Sequence, residues 1–401
     1  MSNCLIAQSG GPTSVINATI AGLIKANQQD PVYEHVYGAL NGIEGILAEK
    51  FVELTNLPEE ELRILIQTPS SVLGSCRYKL QRDNPEDHKK LIKIMAEHDI
   101  ETLFYIGGTD GMDTVADMAE YAREHEITNR RFIGCPKTID NNLVKTDHCP
   151  GYGSAAKYIA FTALQSWLDL NVYTRPEVFI LETMGKDSGW LAASACLSGI
   201  VDILIVPEVP FDQEAVLNRV RECIKEKNKC YIVISEGARY ADGTYLSSDK
   251  AKMAAFGYTF SGGASAMLQN LILTTNTASR VRVHDLSVSQ RCNIVGRSLT
   301  DVTEALNVGE VAHEYSKDKS FTGKMIILRR KDTREYEVEY TYTDASEAAG
   351  IVRTFPEEWL LAGNRGITEE ALEYLRPLIE GSPERVIKDG LPAFVRPYYL
   401  R

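Results

Sequence analysis

Short apolar runs separated by amphipathic stretches organise this chain. The segments "NCLIAQSGG", "TLFYIGG", "RFIGCP", "EVFILETMG", "DILIVPE" and "KCYIVISEG" each carry about four to eight residues rich in Ile, Val, Leu and Phe, the length of a buried strand. Several end in small or polar residues just before a helix-like segment, as buried parallel strands do. Between them lie amphipathic patterns such as "SVINATIAGLIKAN", where Val15, Ile16, Ile20, Leu23 and Ile24 follow a 3.6-residue spacing. Strand and helix signals that alternate in this way predict an α/β protein. Beyond about residue 320 the texture changes: "GKMIILRR" and "REYEVEYTYT" predict a two-stranded hairpin, and "ITEEALEYLRPLIEG" a helix. No internal repeat, coiled coil or low-complexity tract is visible.

A length of 401 residues exceeds one ordinary core and predicts two domains or three. The composition, 44% hydrophobic and 24% charged, is that of a soluble globular protein. No run of about 18 apolar residues occurs, and the start "MSNCLIAQSGG" lacks the layout of a signal peptide, so the expected location is cytoplasmic. Eight cysteines form no C-x-x-C pair and no Cys/His ligand spacing, which predicts reduced, mostly buried thiols rather than zinc or disulfides. A net charge of −12 argues against nucleic acid or an anionic membrane as partner. A phosphate ligand would need a local cluster of Arg and Lys.

Ligands of open α/β sheets sit at the carboxyl ends of strands, and here those ends hold the unusual residues. In "SGGPTS", Gly10 and Gly11 allow backbone N–H groups to approach an anion, although a tight strand-to-helix turn explains them equally well. "IGGTDGMDT" adds Asp110 and Asp113 to Gly108, where an aspartate can also serve as a helix cap. "GCPKTIDNNLVKTD" gathers Lys137, Thr138, Asp140, Asn141 and Asn142 after an apolar run. Asp140 can accept a proton from a substrate hydroxyl there, while an Asx-turn accounts for the asparagines and leaves Lys137 unexplained. "ETMGKDSG" ends a strand with Gly185 and Lys186, "ISEGAR" ends another with Glu236, and "RVRVHDLSVSQR" offers Arg282 and Arg291 as phosphate cations. Histidines 148 and 284 lie near these segments but show no ligand spacing, and a structural role is expected for both.

The order "SGGPTSVINA", "LGSCRY", "GGTDG", "PKTIDNN", "ETMG", "PEVPF", "SEG", "QR" over about residues 3 to 300 resembles the phosphofructokinases. The resemblance implies two Rossmann-like domains with mostly parallel sheets sandwiched by helices, and an active site in the cleft between them. It implies residues 1–150 plus about 290–345 as the phosphoryl-donor domain, 151–289 as the sugar-phosphate domain, and about 346–401 as a C-terminal extension. It further implies fructose 6-phosphate as substrate, magnesium as cofactor, and a homodimer or homotetramer. By the same resemblance Asp140 is the base on the sugar 1-hydroxyl, and Lys137 and Arg77 stabilise the transferring phosphoryl group. Gly10, Gly11, Gly108 and Asp110 bind the donor, with Asp110 also near the metal. Thr138, Met184, Gly185, Lys186 and Glu236 contact the sugar phosphate, Arg291 holds the 6-phosphate, and Arg282 reaches the same phosphate across a subunit interface.

Asp110 and Lys137 stand where ATP-using members commonly have glycine, as they do in pyrophosphate-using members. A carboxylate at 110 occupies space and repels an α-phosphate, whereas Lys137 neutralises a compact pyrophosphate. The expected reaction is therefore transfer from pyrophosphate to fructose 6-phosphate, reversibly, within glycolysis. Four positions depart from the family pattern: Thr109, Asn142, Lys186 and Val288. The first two remove up to two negative charges near the metal, so magnesium is expected to arrive on pyrophosphate. The last two change the phosphate contacts. Two other readings stay open: ATP or another sugar phosphate, such as sedoheptulose 7-phosphate, as substrate, or a non-catalytic sugar-phosphate-binding paralogue that regulates a partner.

Overall fold

The computed structural model describes residues 1–247 and 263–400. In chain order the strands are β1 (Ser2–Gln8), β2 (Tyr33–Ala39), β3 (Phe51–Glu53), β4 (Ile100–Gly107), β5 (Arg131–Pro136), β6 (Glu177–Thr183), β7 (Ile203–Ile205), β8 (Lys229–Ser235), β9 (Val281–Asp285), β10 (Lys324–Arg330) and β11 (Val338–Asp344). The two-residue strands β12 (Ile387–Lys388) and β13 (Leu391–Pro392) follow. Each of the six apolar runs is a strand. The chain forms two compact units, one of Met1–Ser154, Arg291–Val352 and Glu380–Arg401, the other of Ala155–Gln290 and Arg353–Ile379.

The first unit holds a seven-stranded sheet in the order β11-β10-β5-β4-β1-β2-β3. It is parallel except at its rims, where β3 runs antiparallel to β2 and β11 antiparallel to β10. Alternation along the central strands sorts their side chains onto two buried faces. Leu5, Ala7, Leu103, Tyr105, Met325 and Ile327 pack in one cluster, and Cys4, Ile6, Phe104, Ile106, Ile133 and Ile326 in the other. The expected hairpin is present, and it joins this sheet through Lys324↔Ile133 and Met325↔Gly134.

Helix Ile16–Gln29 departs from the one-sided pattern expected of it, because Asn17, Ala18, Thr19 and Gly22 are buried along with the apolar stripe. The cause is a second helix, Leu299–Tyr315, lying directly on it. A Cβ on Gly22 would stand 2.1 Å from the Leu306 carbonyl oxygen, and one on Gly309 would stand 2.2 Å from that of Thr19. Only hydrogen at both positions permits so close a crossing.

The second unit has a four-stranded, all-parallel sheet in the order β7-β8-β6-β9, with Val178, Ile180, Ile203, Ile205, Ile232 and Ile234 in its core. Residues 346–401, expected as one extension, are shared between the units. Arg353–Ile379 belongs to the second because Trp190 packs edge-on against Phe355 and Trp359, and the Phe355 N–H donates to Glu208 Oε1 at 2.7 Å. The predicted helix spans Glu369–Leu375, capped by Thr368 Oγ1, and tightens into a 3-10 turn at Arg376–Ile379. Glu380–Arg401 returns to the first unit, where Gln67 bonds the backbone of Val386 and the Tyr398 N–H donates to the Val72 carbonyl.

Candidate active site

In the first unit β1, β4 and β5 end in three turns that face one another. After β1 the chain bends through Gly10, whose φ of +73° suits glycine. Lys137, the residue following β5, donates its ammonium to the carbonyls of Ser9 at 2.6 Å and Gly11 at 2.8 Å. The other side of the loop is held by Ser75 Oγ, which donates to the Gly10 carbonyl at 2.6 Å, and by the Cys76 carbonyl, which accepts the Gly10 N–H at 3.4 Å. The latter contact puts Arg77, exposed at the next position, beside the loop. Arg291 lies there too, since a Cβ on Gly11 would be 3.2 Å from its Nη1. Of the two arginines expected at the 6-phosphate, Arg291 thus stands in the first unit against Gly11 and Lys137, while Arg282 stands in the second.

Lys137 is buried, and its charge is set by that fact. Burial pushes its ammonium down from 10.5 to about 8, with the Asp140 carboxylate opposing the drop and the Arg291 cation adding to it. A buried cation beside an arginine at a glycine loop is an anion-binding arrangement.

Asp140 is half-buried three residues on. Its N–H donates to Thr138 Oγ1 at 3.1 Å, which closes a local turn and fixes the direction in which the carboxylate leaves the backbone. Asn141 takes the left-handed conformation, φ 52°, and its side-chain oxygen accepts the Cys149 N–H at 3.0 Å. That asparagine therefore ties the turn after Asp140 to the segment at Cys149. Gly108 is the N-cap of helix Thr109–Glu124 and Asp110 sits in its first turn. The Asp110 carboxylate is exposed and pairs with Lys79 Nζ at 2.6 Å. Asp113, one turn on, pairs with Arg82 at 3.0 Å. Lys79 escaped the sequence reading; its only signal is a second basic residue two positions after Arg77.

In the second unit the ends of β6 and β8 are knitted together. Gly185 has φ +118°, and Ser235 Oγ donates to its carbonyl. A Cβ on Gly237 would stand 2.0 Å from the Lys186 carbonyl, so the "SEG" turn needs glycine for its backbone to reach the "MGK" turn. The Met184 N–H donates to Gln290 Oε1 at 3.2 Å and the Glu236 N–H to the Thr183 carbonyl at 2.9 Å. Met184, Gly185, Lys186 and Glu236 thus share one rim, with Lys186 exposed and Glu236 half-buried. Behind them Glu182 accepts the N–H groups of Gly263 and Ser265, each at 2.9 Å, at the start of helix Ala264–Thr274. Arg282 is engaged within its own unit: its Nε lies 3.0 Å from Glu177 Oε1 and its Nη1 pairs with Asp169.

Among the described residues one group of metal-type ligands comes together, Asp202, Cys223 and Cys230. Asp202 already pairs with Lys227 and accepts the Tyr231 N–H at 2.9 Å, so local bonds account for its placement. No helix among the described residues is long and apolar enough to cross a membrane.

A family model described as phosphofructokinase matches residues 3–315. A pyrophosphate--fructose 6-phosphate 1-phosphotransferase from Halomonas elongata is 36% identical, covering 97% of this chain and 94% of its own. A sulfofructose kinase from Alkalicoccus urumqiensis is 34% identical over 84% of this chain and 86% of its own. The crystal structure of a pyrophosphate-dependent phosphofructokinase from Nitrosospira multiformis superposes with a TM-score of 0.88 at 32% identity, covering 98% of this chain and 96% of that one.

Proposed function

This chain belongs to the phosphofructokinase family, and from that premise we propose that it transfers a phosphoryl group from pyrophosphate to the 1-hydroxyl of fructose 6-phosphate. The products are fructose 1,6-bisphosphate and phosphate, in a readily reversible, cytoplasmic step of glycolysis. The observation that carries the donor assignment is the buried Lys137 ammonium at the Gly10–Gly11 loop. An ammonium has three N–H donors. Two rest on the Ser9 and Gly11 carbonyls, and the third serves pyrophosphate, together with Arg77 and the backbone of the loop.

Phosphoryl transfer asks little covalent work of a protein beyond positioning and charge stabilisation. Asp140 accepts the proton of the 1-hydroxyl as the oxygen attacks phosphorus, and Thr138 steadies the carboxylate through its own turn. Arg77 and Lys137 balance the charge on the transferring group. Gly108 leaves room for the donor, and Asp110 fills space that an α-phosphate would need. Met184, Gly185, Lys186 and Glu236 line the acceptor sugar, and Arg291 and Arg282 serve its phosphate.

Magnesium fits this site as a companion of pyrophosphate. Asp110 is a lone exposed carboxylate already beside Lys79, and magnesium is commonly held by one or two carboxylates plus substrate phosphates. Bound there through Asp110, it would neutralise charge on the leaving phosphate. We also infer a homodimer or homotetramer. Phe161, Leu164 and Leu168 form an exposed apolar stripe on helix Tyr152–Leu170, continued by Val172 and Tyr173, beside the Asp169–Arg282 pair.

The test is a coupled assay of fructose 6-phosphate turnover with pyrophosphate and, separately, with ATP. Activity with pyrophosphate alone supports the reading, and turnover only with ATP overturns the donor. A different acceptor is the second reading, favoured by the sulfofructose kinase relative and by Lys186 and Val288 at phosphate-contact positions. A panel of sugar phosphates and sulfofructose in the same assay separates the two.

A further inference from the structure

We infer that Asp301 and Glu304, on one face of helix Leu299–Tyr315, are positioning residues for phosphoryl transfer: they grip the segment 147–154, which in turn holds the backbone on both sides of Asp140. The inference rests on Asp140 being the base.

The chain of contacts is continuous and lies wholly in the first unit. Asp301 Oδ1 accepts the Gly151 N–H at 2.8 Å and its Oδ2 the Ser154 N–H at 2.9 Å. Three residues along the same helix, and so on the same face, Glu304 Oε2 meets His148 Nε2 at 2.6 Å. The other ring nitrogen of His148 lies 2.8 Å from Asp147 Oδ1. Between these anchors the Cys149 N–H donates to Asn141 Oδ1 at 3.0 Å, and the Pro150 carbonyl accepts the Thr138 N–H at 3.2 Å. Thr138 Oγ1 then accepts the Asp140 N–H at 3.1 Å. Residues on both flanks of the base are thus bonded to a segment whose two ends are clamped by the helix. Tyr336 adds a hydrogen bond to Glu304 Oε1 at 2.6 Å, and Arg330 Nε stands 3.3 Å from Asp147.

Asp301, Glu304 and His148 are all buried. Burial alone opposes a charge on His148, but Glu304 and Asp147 outweigh it and raise the imidazole to about 9. Burial likewise pushes Asp301 up to about 6. Apolar side chains of the same volume would stabilise the fold about as well as buried ion pairs do. What these carboxylates add is direction, since each lone pair fixes one N–H along the segment behind Asp140. Catalytic geometry is sensitive at that scale, because a displacement of about 1 Å can cost roughly 100-fold in rate.

The test is a double-mutant cycle of Glu304→Gln with Asp140→Asn, read with pyrophosphate and fructose 6-phosphate. Wild-type turnover and its loss in Asp140→Asn come first; failure of either overturns the functional reading and the positioning role with it, and is told apart from the outcomes below by appearing before Glu304 is changed. Given both, Glu304→Gln is expected to lower kcat about 10-fold with KM values within about 2-fold, and to have almost no effect in the Asp140→Asn background. A residue that merely stabilises the fold would act equally in both backgrounds, and that result, or an unchanged kcat, overturns the inference. If Glu304→Gln does not fold, Tyr336→Phe, which removes the hydroxyl that meets Glu304 Oε1 at 2.6 Å and His148 Nε2 at 3.3 Å, runs the same cycle with an expected loss of about 3-fold against none. Equal losses in both backgrounds overturn it there too.

Discussion

Lys79 Nζ lies 2.6 Å from Asp110 Oδ1, so the carboxylate proposed to exclude nucleotide carries a cation with it. Exposed pairs of this kind contribute only about 0.2–1 kcal/mol to stability. Substitutions at 110 therefore report on the donor and not on folding. Asp110→Gly is expected to admit ATP weakly while retaining the pyrophosphate reaction. Lys79→Ala should raise KM for pyrophosphate without any gain toward ATP. An unchanged ratio of pyrophosphate to ATP activity in Asp110→Gly, alongside an unchanged melting temperature, would remove Asp110 from the donor site.

Lys137 makes the converse prediction. Truncating one member of a desolvated charge cluster typically costs about 2–5 kcal/mol, so Lys137→Met should depress kcat/KM for pyrophosphate at least 30-fold, about 2 kcal/mol at 1.4 kcal/mol per decade. The loop carbonyls of Ser9 and Gly11 lose their donor in this variant as well. Comparing KM for the sugar phosphate, which should change far less, separates the two effects.

The pH dependence follows from the same side chain. Burial lowers the Lys137 ammonium to about 8, so kcat/KM for pyrophosphate, which reports the free enzyme, should fall above pH 8 with one ionisation. Stability answers to a different group. His148 is raised from 6.5 to about 9 by its carboxylates, so its contribution is complete below pH 6.5 and is lost as pH rises through 9. Lys137, with its folded value lowered, acts in the opposite sense between pH 8 and 10.5. Thermal melts of Lys137→Met across pH 6 to 10 should therefore decline more steeply at the alkaline end than those of the wild type. A parallel pair of curves would contradict the burial of the charge.

If Asp140 is the base, Asp140→Asn should retain the fold and much of the substrate affinity while lowering turnover by roughly 10² to 10⁴. Near-normal turnover would eliminate the assignment, and circular dichroism identical to wild type makes the comparison fair.

The exposed stripe on helix Tyr152–Leu170 predicts association. Leu168, 57% exposed, is expected to be covered by a second copy, so Leu168→Glu should shift sedimentation toward the monomer. Arg282→Ala should raise KM for the sugar phosphate more than it lowers kcat. A monomeric, fully active wild type would refute both.

Strand positions were legible wherever burial on both faces left an unbroken apolar run, which is why all six such segments proved to be strands. β2 was missed because Glu34 and His35 interrupt "YEHVYGA" near the rim of its sheet. β9 was missed because an edge strand with Arg282 on carboxylates resembles a charged loop. The glycine turns and the Lys137–Asp140 stretch were readable as motifs, since close backbone approach demands particular residues. The pairing of Lys79 with Asp110, the seat of Arg291 against Gly11 and the grip of Asp301 and Glu304 were not. Each joins residues dozens to hundreds of positions apart, and periodicity carries no information about such partners.

The helix pair that meets at Gly22 and Gly309 sets the order in which the protein can be completed on the ribosome. Helix Ile16–Gln29 is made first, but the helix that covers it starts at Leu299, 270 residues after Gln29. At about 5–20 residues per second this interval lasts roughly 15–50 s. Throughout it the apolar flank of the nascent first unit stands open, and β10, which extends its sheet beyond β5, is not yet synthesised. The first unit therefore cannot close domain by domain as the chain emerges. It must be held unfinished, with a surface open to chaperones, until Ala155–Gln290 of the second unit has been synthesised between its parts.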